Sequence, residues 1–260
     1  MGEKDVRRDV VRQVTVALCV VITIAVNALA NILPFNNLTT GEISDRFRVY
    51  FVPAGYVFSI WGVIYLFLIG FAIYQALSAQ RGNAWLRRIG YLFAASCAAN
   101  VLWLFLWHYE RFVFTLIAMV ALLLLLISVY LILGIGKRRV STAELLLVHV
   151  PFGIYLGWVT VAAVANVTSV LDYLKWSGWG ISPEAWAVVM LVIGAAIASA
   201  ISITRGDIAY VLVIVWAFIG IAVKQSAAPV VAIPAGVLAA VVALTLIVGV
   251  PRRRRRLQVA

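Results

Sequence analysis

Apolar residues run along this chain in eight stretches, at about 13–34, 52–77, 89–109, 112–135, 144–170, 184–203, 208–223 and 229–250, with short polar intervals between them. A helix that crosses a bilayer needs roughly 20 mostly apolar residues. The pattern therefore predicts eight transmembrane helices, the seventh the shortest. One interval is long: residues 35–52 carry Asn36-Asn37, Thr39-Thr40-Gly41 and then Glu42, Asp45, Arg46 and Arg48. Turn formers followed by mixed charges predict an ordered loop with a short helical turn. A second loop, 171–183, holds Asp172, Tyr173, Lys175, Trp176 and Trp179. The fold class that follows is all-α, a polytopic membrane helix bundle.

Within the spans the polar and aromatic positions keep helical register. Phe58, Trp61 and Tyr65 are spaced i, i+3, i+7, as are Asn100, Trp103 and Trp107. Tyr155, Trp158, Ala162 and Asn166 extend the device to i+11. Such spacing puts each set on one stripe. Lipid gives no reason to line a stripe with Trp, Tyr and Asn, and a membrane-embedded asparagine needs a hydrogen-bonding partner. Three stripes of this kind, facing one another, would wall a small-molecule site; ordinary interhelical packing is the alternative. The stretch beyond residue 171 is rich in Ala, Val and Ile, with only Trp186 and Trp216 among its spans. It divides the chain into an aromatic-rich part, 1–170, and an apolar part, 171–260.

Composition sharpens this picture. The 260 residues are 65% hydrophobic with a mean hydropathy of +1.06, well above the roughly half-apolar content of soluble domains. The net charge of +11 is not a nucleic-acid signal. With the first loop taken as external, Lys and Arg divide sixteen inside against five outside, the bias of cytoplasmic loops. Both termini then lie in the cytoplasm, and Arg252 to Arg256 form an anchor for anionic headgroups. The expected location is a bacterial plasma membrane. The basic start, the run Val14–Val26 and Ala28-Leu29-Ala30 have the layout of a signal peptide, whereas the apolar run continuing through Ile32 and Leu33 favours a retained helix. Cys19 and Cys97 lie inside spans and offer neither a disulfide framework nor metal spacing.

Three motifs carry a resemblance to a known family. Pro53-Ala54-Gly55-Tyr56-Val57-Phe58 with Trp61-Gly62-Val63-Ile64-Tyr65, Asn100-Val-Leu-Trp103, and Tyr155-x-x-Trp158-x-x-x-Ala162-x-x-x-Asn166 resemble, in order, the helix-two, helix-three and helix-five signatures of the translocator-protein (TspO/MBR, tryptophan-rich sensory protein) family over about residues 12–170. The departures are Ala54 for the second proline of the pair, one residue fewer between Phe58 and Trp61, Pro151 displaced from its usual place, and Ala165 before Asn166. The resemblance implies a five-helix core, with three further helices that it does not account for. It implies a ligand site beneath the first loop, walled by Phe58, Trp61, Tyr65, Asn100, Trp103, Trp107, Tyr155, Trp158, Ala162 and Asn166, for a tetrapyrrole such as porphyrin or haem. Arg46 and Arg48 are complementary to porphyrin propionates.

The expected function is sensing or transport of such a planar ligand, with no catalytic residue, metal or required cofactor. The alternatives are a secondary transporter of a small amphiphile and a light-dependent porphyrin-modifying enzyme. Val170-x-x-Tyr173-x-Lys175 and Leu106-x-x-Tyr109-x-Arg111 match a sterol-contact pattern that also arises by chance. Gly90, Ala94 and Ala98 form a small-residue seam suited to a homodimer or to close packing within one bundle, and Gly153 and Gly157 form another. His149 and Glu144 in span five, and His108 and Glu110 at the end of span three, are the ionisable candidates.

Overall fold

A computed structural model describes residues 3–33 and 35–259, and the described chain is helical throughout, with no strand. Eight apolar helices form. They are α1 (Glu3–Ile32), α2 (Ile60–Ala76), α3 (Ala84–His108), α4 (Phe112–Ile132), α5 (Thr142–Tyr173), α6 (Pro183–Arg205), α7 (Ile208–Lys224) and α8 (Pro229–Val259). Seven of these, with α2 counted from its leading turn at Gly55, are long and apolar enough to cross a membrane; α7, at 17 residues, falls short. The chain is an integral membrane protein.

Helix ends sit where the local chemistry puts them. Asn83 accepts from the backbone N–H groups of Trp85 and Leu86, so α3 starts five residues before its apolar run. Ser182 accepts from the Ala185 N–H and is followed by Pro183, the pairing that opens helices. Gly206 closes α6 in the left-handed conformation at φ 59°, and Asp207 caps α7 by accepting from Tyr210 N–H. The chain thus reverses direction within two residues. In α5 a π turn at Leu145–His149 precedes Pro151. Proline lacks the N–H and crowds the carbonyl four residues back, and a widened turn accommodates both defects.

The chain forms two compact units that interleave along the sequence. The first holds the chain up to Thr40, Trp61–Gly134 and Val140–Phe152. In it α1 packs on α3 and α3 on α4. Phe71, Phe93 and Phe152 form a closed triangle of edge contacts, with centroids 5.0–5.3 Å apart. Gln13 donates to the carbonyls of Gln75 and Leu77, and Gln75 donates back to Gln13 O, which fixes α1 against the end of α2. Asp9 accepts a two-pronged bond from Arg87, and Arg12 lies buried beside the pair. The charged start of α1 is built into this unit.

The second unit holds Gly41–Ile60, Ile135–Arg139 and the chain from Gly153 onward. Here α8 packs on α6 and α7. A Cβ at Gly249 would overlap the Ser202 carbonyl, so α6 and α8 approach to backbone contact. The arginine run continues α8 as helix. Arg253 and Arg256 donate to the carbonyls of Gly206 and Thr204 at the end of α6. Part of the run read as a headgroup anchor thus also serves as a side-chain cap on a neighbouring helix.

Candidate functional site

In the first unit, α3 carries the stripe Asn100, Trp103, Trp107, and all three side chains are buried. The indoles of Trp103 and Trp107 stack with centroids 5.6 Å apart and planes within 20°. Asn27 of α1 donates to Asn100 Oδ1 at 2.8 Å and to Thr23 O at 2.9 Å. Two apolar helices are thereby joined by an amide pair. Asn100 Nδ2 and Trp103 Nε1 are buried and have no acceptor among the described residues. On α2, Trp61 and Tyr65 stack at 5.5 Å.

The chain after α1 folds over the end of α3. Phe35 stacks on Phe105 at 5.4 Å and sets its edge to His108. Asn36 Nδ2 donates to His108 O, and Trp107 Nε1 donates to Thr40 O at 3.2 Å. His108 has Nδ1 at 2.9 Å from Leu104 O, with Nε2 3.5 Å from Thr40 Oγ1. Its environment is that of a packed histidine. Gly90 is covered by the Arg12 side chain of the same molecule, while Ala94 is half-buried and Ala98 exposed. One member of the predicted self-association seam is thus engaged inside the chain.

In the second unit, Phe58 meets Trp158 edge-on at 5.7 Å. Tyr155, Trp158 and Asn166 are buried and Ala162 is half-buried. Residues 153–159 of α5 are buried on every face, as befits an interior helix. Gly153 and Gly157 serve this packing: a Cβ at Gly153 would press on the Asp207 carboxylate at 2.9 Å, and one at Gly157 on Tyr210 O at 3.0 Å. The residues of the long loop that lie in this unit are tied to α7. Ala54 N–H donates to Gly220 O, Trp216 Nε1 to Val57 O, Gln225 Nε2 to Tyr50 O, and Lys224 pairs with Asp45. Tyr56 and Phe51 add edge contacts to Trp216 and Phe218. Arg46 is exposed. Arg48 lines a separate cleft with Asp172, Trp176 and Trp186.

Several of these partners lie outside the three predicted stripes. Asn27 is the donor that pairs with Asn100 Oδ1, and its signal is an amide in an otherwise apolar span. Trp216 reads as packing in the sequence; in the structure its N–H holds the loop. Among the described residues there is no group of three or more His, Cys, Asp or Glu that could hold a metal.

The profile of the TSPO-like protein family matches residues 13–248. The chain belongs to the TSPO-like family. The match runs through α6 and α7 and into α8 as far as residue 248. The matched region thus takes in the three motifs and extends past the stretch of about 12–170 that carries them. No curated protein matches this TSPO-like chain, and no solved structure does.

Proposed function

We propose that this TSPO-like membrane protein binds a planar amphiphile of the tetrapyrrole class on the α3 stripe, for sensing or transport. The observation that carries the reading is the pair of buried donors, Asn100 Nδ2 and Trp103 Nε1, one turn apart and without acceptors among the described residues. A buried polar group left unpaired costs about 1–3 kcal/mol, which a ligand presenting acceptors beside a flat apolar body would offset. The stacked faces of Trp103 and Trp107 suit such a body, and the Asn27–Asn100 bond holds the amide in place. The nature of the ligand rests on the family resemblance. The reading that both termini are cytoplasmic rests on the distribution of the basic residues.

Titration of the purified protein with protoporphyrin, read by tryptophan quenching, tests this. Saturable quenching is expected in the wild type. Trp103→Phe keeps the ring but removes the N–H, and its affinity should fall about fivefold, the value of one hydrogen bond. Trp85→Phe, whose ring lies under Arg88, should leave affinity unchanged. Quenching that never saturates, or equal affinity in all three proteins, rejects the site.

A further inference from the structure

Within the second unit, a cleft of about 150 Å³ opens between residues 48–51, the end of α5 and the start of α6. None of the predicted stripe residues lines it. Its walls are aromatic: Tyr50, Phe51, Trp176 and Trp186. Trp176 and Trp186 lie 5.4 Å apart at 49°, and Trp186 Nε1 is held by Gly178 O at 2.9 Å. The Tyr50 hydroxyl donates to the Glu184 carboxylate, which raises the phenol above its ordinary range. These rings are fixed in place before any ligand arrives.

The charges of the cleft are arranged unusually. Arg48 and Asp172 both line it, and Arg48 N–H donates to Asp172 Oδ2 at 3.2 Å. Yet neither the Arg48 guanidinium nor the Asp172 carboxylate belongs to an ion pair among the described residues. One cleft therefore presents a cation and an anion whose charged ends are not paired with each other. A purely anionic ligand would face Asp172, and a purely cationic one would face Arg48. A ligand carrying both charges satisfies both, and indole faces favour an alkylammonium. The arginine tail caps the far end of α6, so the cleft lies at the opposite end of that 23-residue helix, about 35 Å away. Exposed Trp179 and Tyr173 flank it, as residues at a membrane interface do.

We infer that this cleft is a binding site for a zwitterionic phospho-ammonium group, the chemistry of a phosphocholine or phosphoethanolamine head, with phosphate toward Arg48 and ammonium among Trp176, Trp186 and Asp172. The full-length protein in phosphatidylglycerol nanodiscs, titrated calorimetrically with glycerophosphocholine, tests the site. Saturable binding is expected, at least about tenfold tighter than for choline or glycerol 3-phosphate alone. Arg48→Gln and Asp172→Asn should each weaken it about fivefold or more without lowering the thermal midpoint, since Asn keeps an acceptor for Arg48 N–H. A shift in tryptophan emission on binding, lost in Trp176→Phe, places the ligand in the cleft independently of those variants. Repeating the titration in phosphatidylcholine nanodiscs separates the sources. Abolished heat identifies the bilayer lipid as occupant, and unchanged heat identifies a free solute. The inference is overturned if no saturable heat appears, if choline alone binds as tightly, or if both charge variants bind like wild type.

Discussion

Gly220 is the position where one added carbon tests most of the second unit. It lies in α7 and its carbonyl accepts from Ala54 N–H. In Gly220→Ala the new methyl would overlap Val57 Cγ2 and stand 3.1 Å from Pro53 Cβ. Val57 is fully buried and β-branched, so it has little rotameric room in which to yield. Alanine should favour the helix by about 1 kcal/mol. Overpacking costs about 1–3 kcal/mol, and displacing the loop puts at risk the bonds Ala54–Gly220 and Trp216–Val57, worth about 1 kcal/mol each. The balance is a net loss of about 2–4 kcal/mol, or roughly 5–10 °C in thermal midpoint for a chain of this size. Gly236→Ala is the control, because nothing lies within 4 Å of its Cβ position in α8. It should keep or raise the midpoint, by up to about 1 kcal/mol. Thermal unfolding in detergent, with limited trypsin cleavage after Arg46 and Arg48, reads both effects. If Gly220→Ala melts at or above wild type and the loop is cut no faster, the packing described for 53–57 is wrong.

Three further outcomes follow from the same contacts. Asp9→Ala removes the carboxylate that accepts from Arg87 and lies beside buried Arg12, so it should lower the denaturation midpoint by leaving the Arg12 charge buried without its neighbouring carboxylate; Asp9→Glu should recover part of it. In a double-mutant cycle, Asn27→Leu and Asn100→Leu should couple by about 0.6 kcal/mol or more, and strict additivity would show that the amide bond contributes nothing. Trp216→Phe retains an aromatic ring near Tyr56 but loses the bond to Val57 O, so the loop should be cleaved faster with a loss of about 1 kcal/mol.

Much of the architecture is legible along the chain because a membrane helix announces itself by length and composition. Eight apolar runs give eight helices, and Asn83, Ser182 and Asp207 mark starts by the usual side-chain caps. Register also places Trp103 with Trp107 and Trp61 with Tyr65, which the structure stacks. What register cannot supply is the partner across space. Nothing near Asn100 in sequence points to Asn27, and nothing near Val57 points to Trp216. The arginine run illustrates another limit. Its charge reads as a headgroup anchor, yet its helical continuation from α8 turns Arg253 and Arg256 toward carbonyls that α6 leaves open. The two compact units, too, take alternate segments of the chain, an interleaving set by contacts across space rather than by order along the sequence.

The shortness of α7 has a consequence for how the chain is assembled. Its 17 residues span about 26 Å, against a hydrocarbon core of about 30 Å. Residues 50–57 clasp the last turn where α7 comes up short, binding Gly220 O and Gln225 and packing on Trp216. During synthesis that clasp leaves the ribosome some 160 residues before the helix it serves. Until α7 arrives, the loop has no seat in this unit; until the loop closes, the last turn of α7 is bare in lipid. The joint can therefore close only once α7 has been made, and a defect there should be visible as impaired membrane integration rather than as lost affinity.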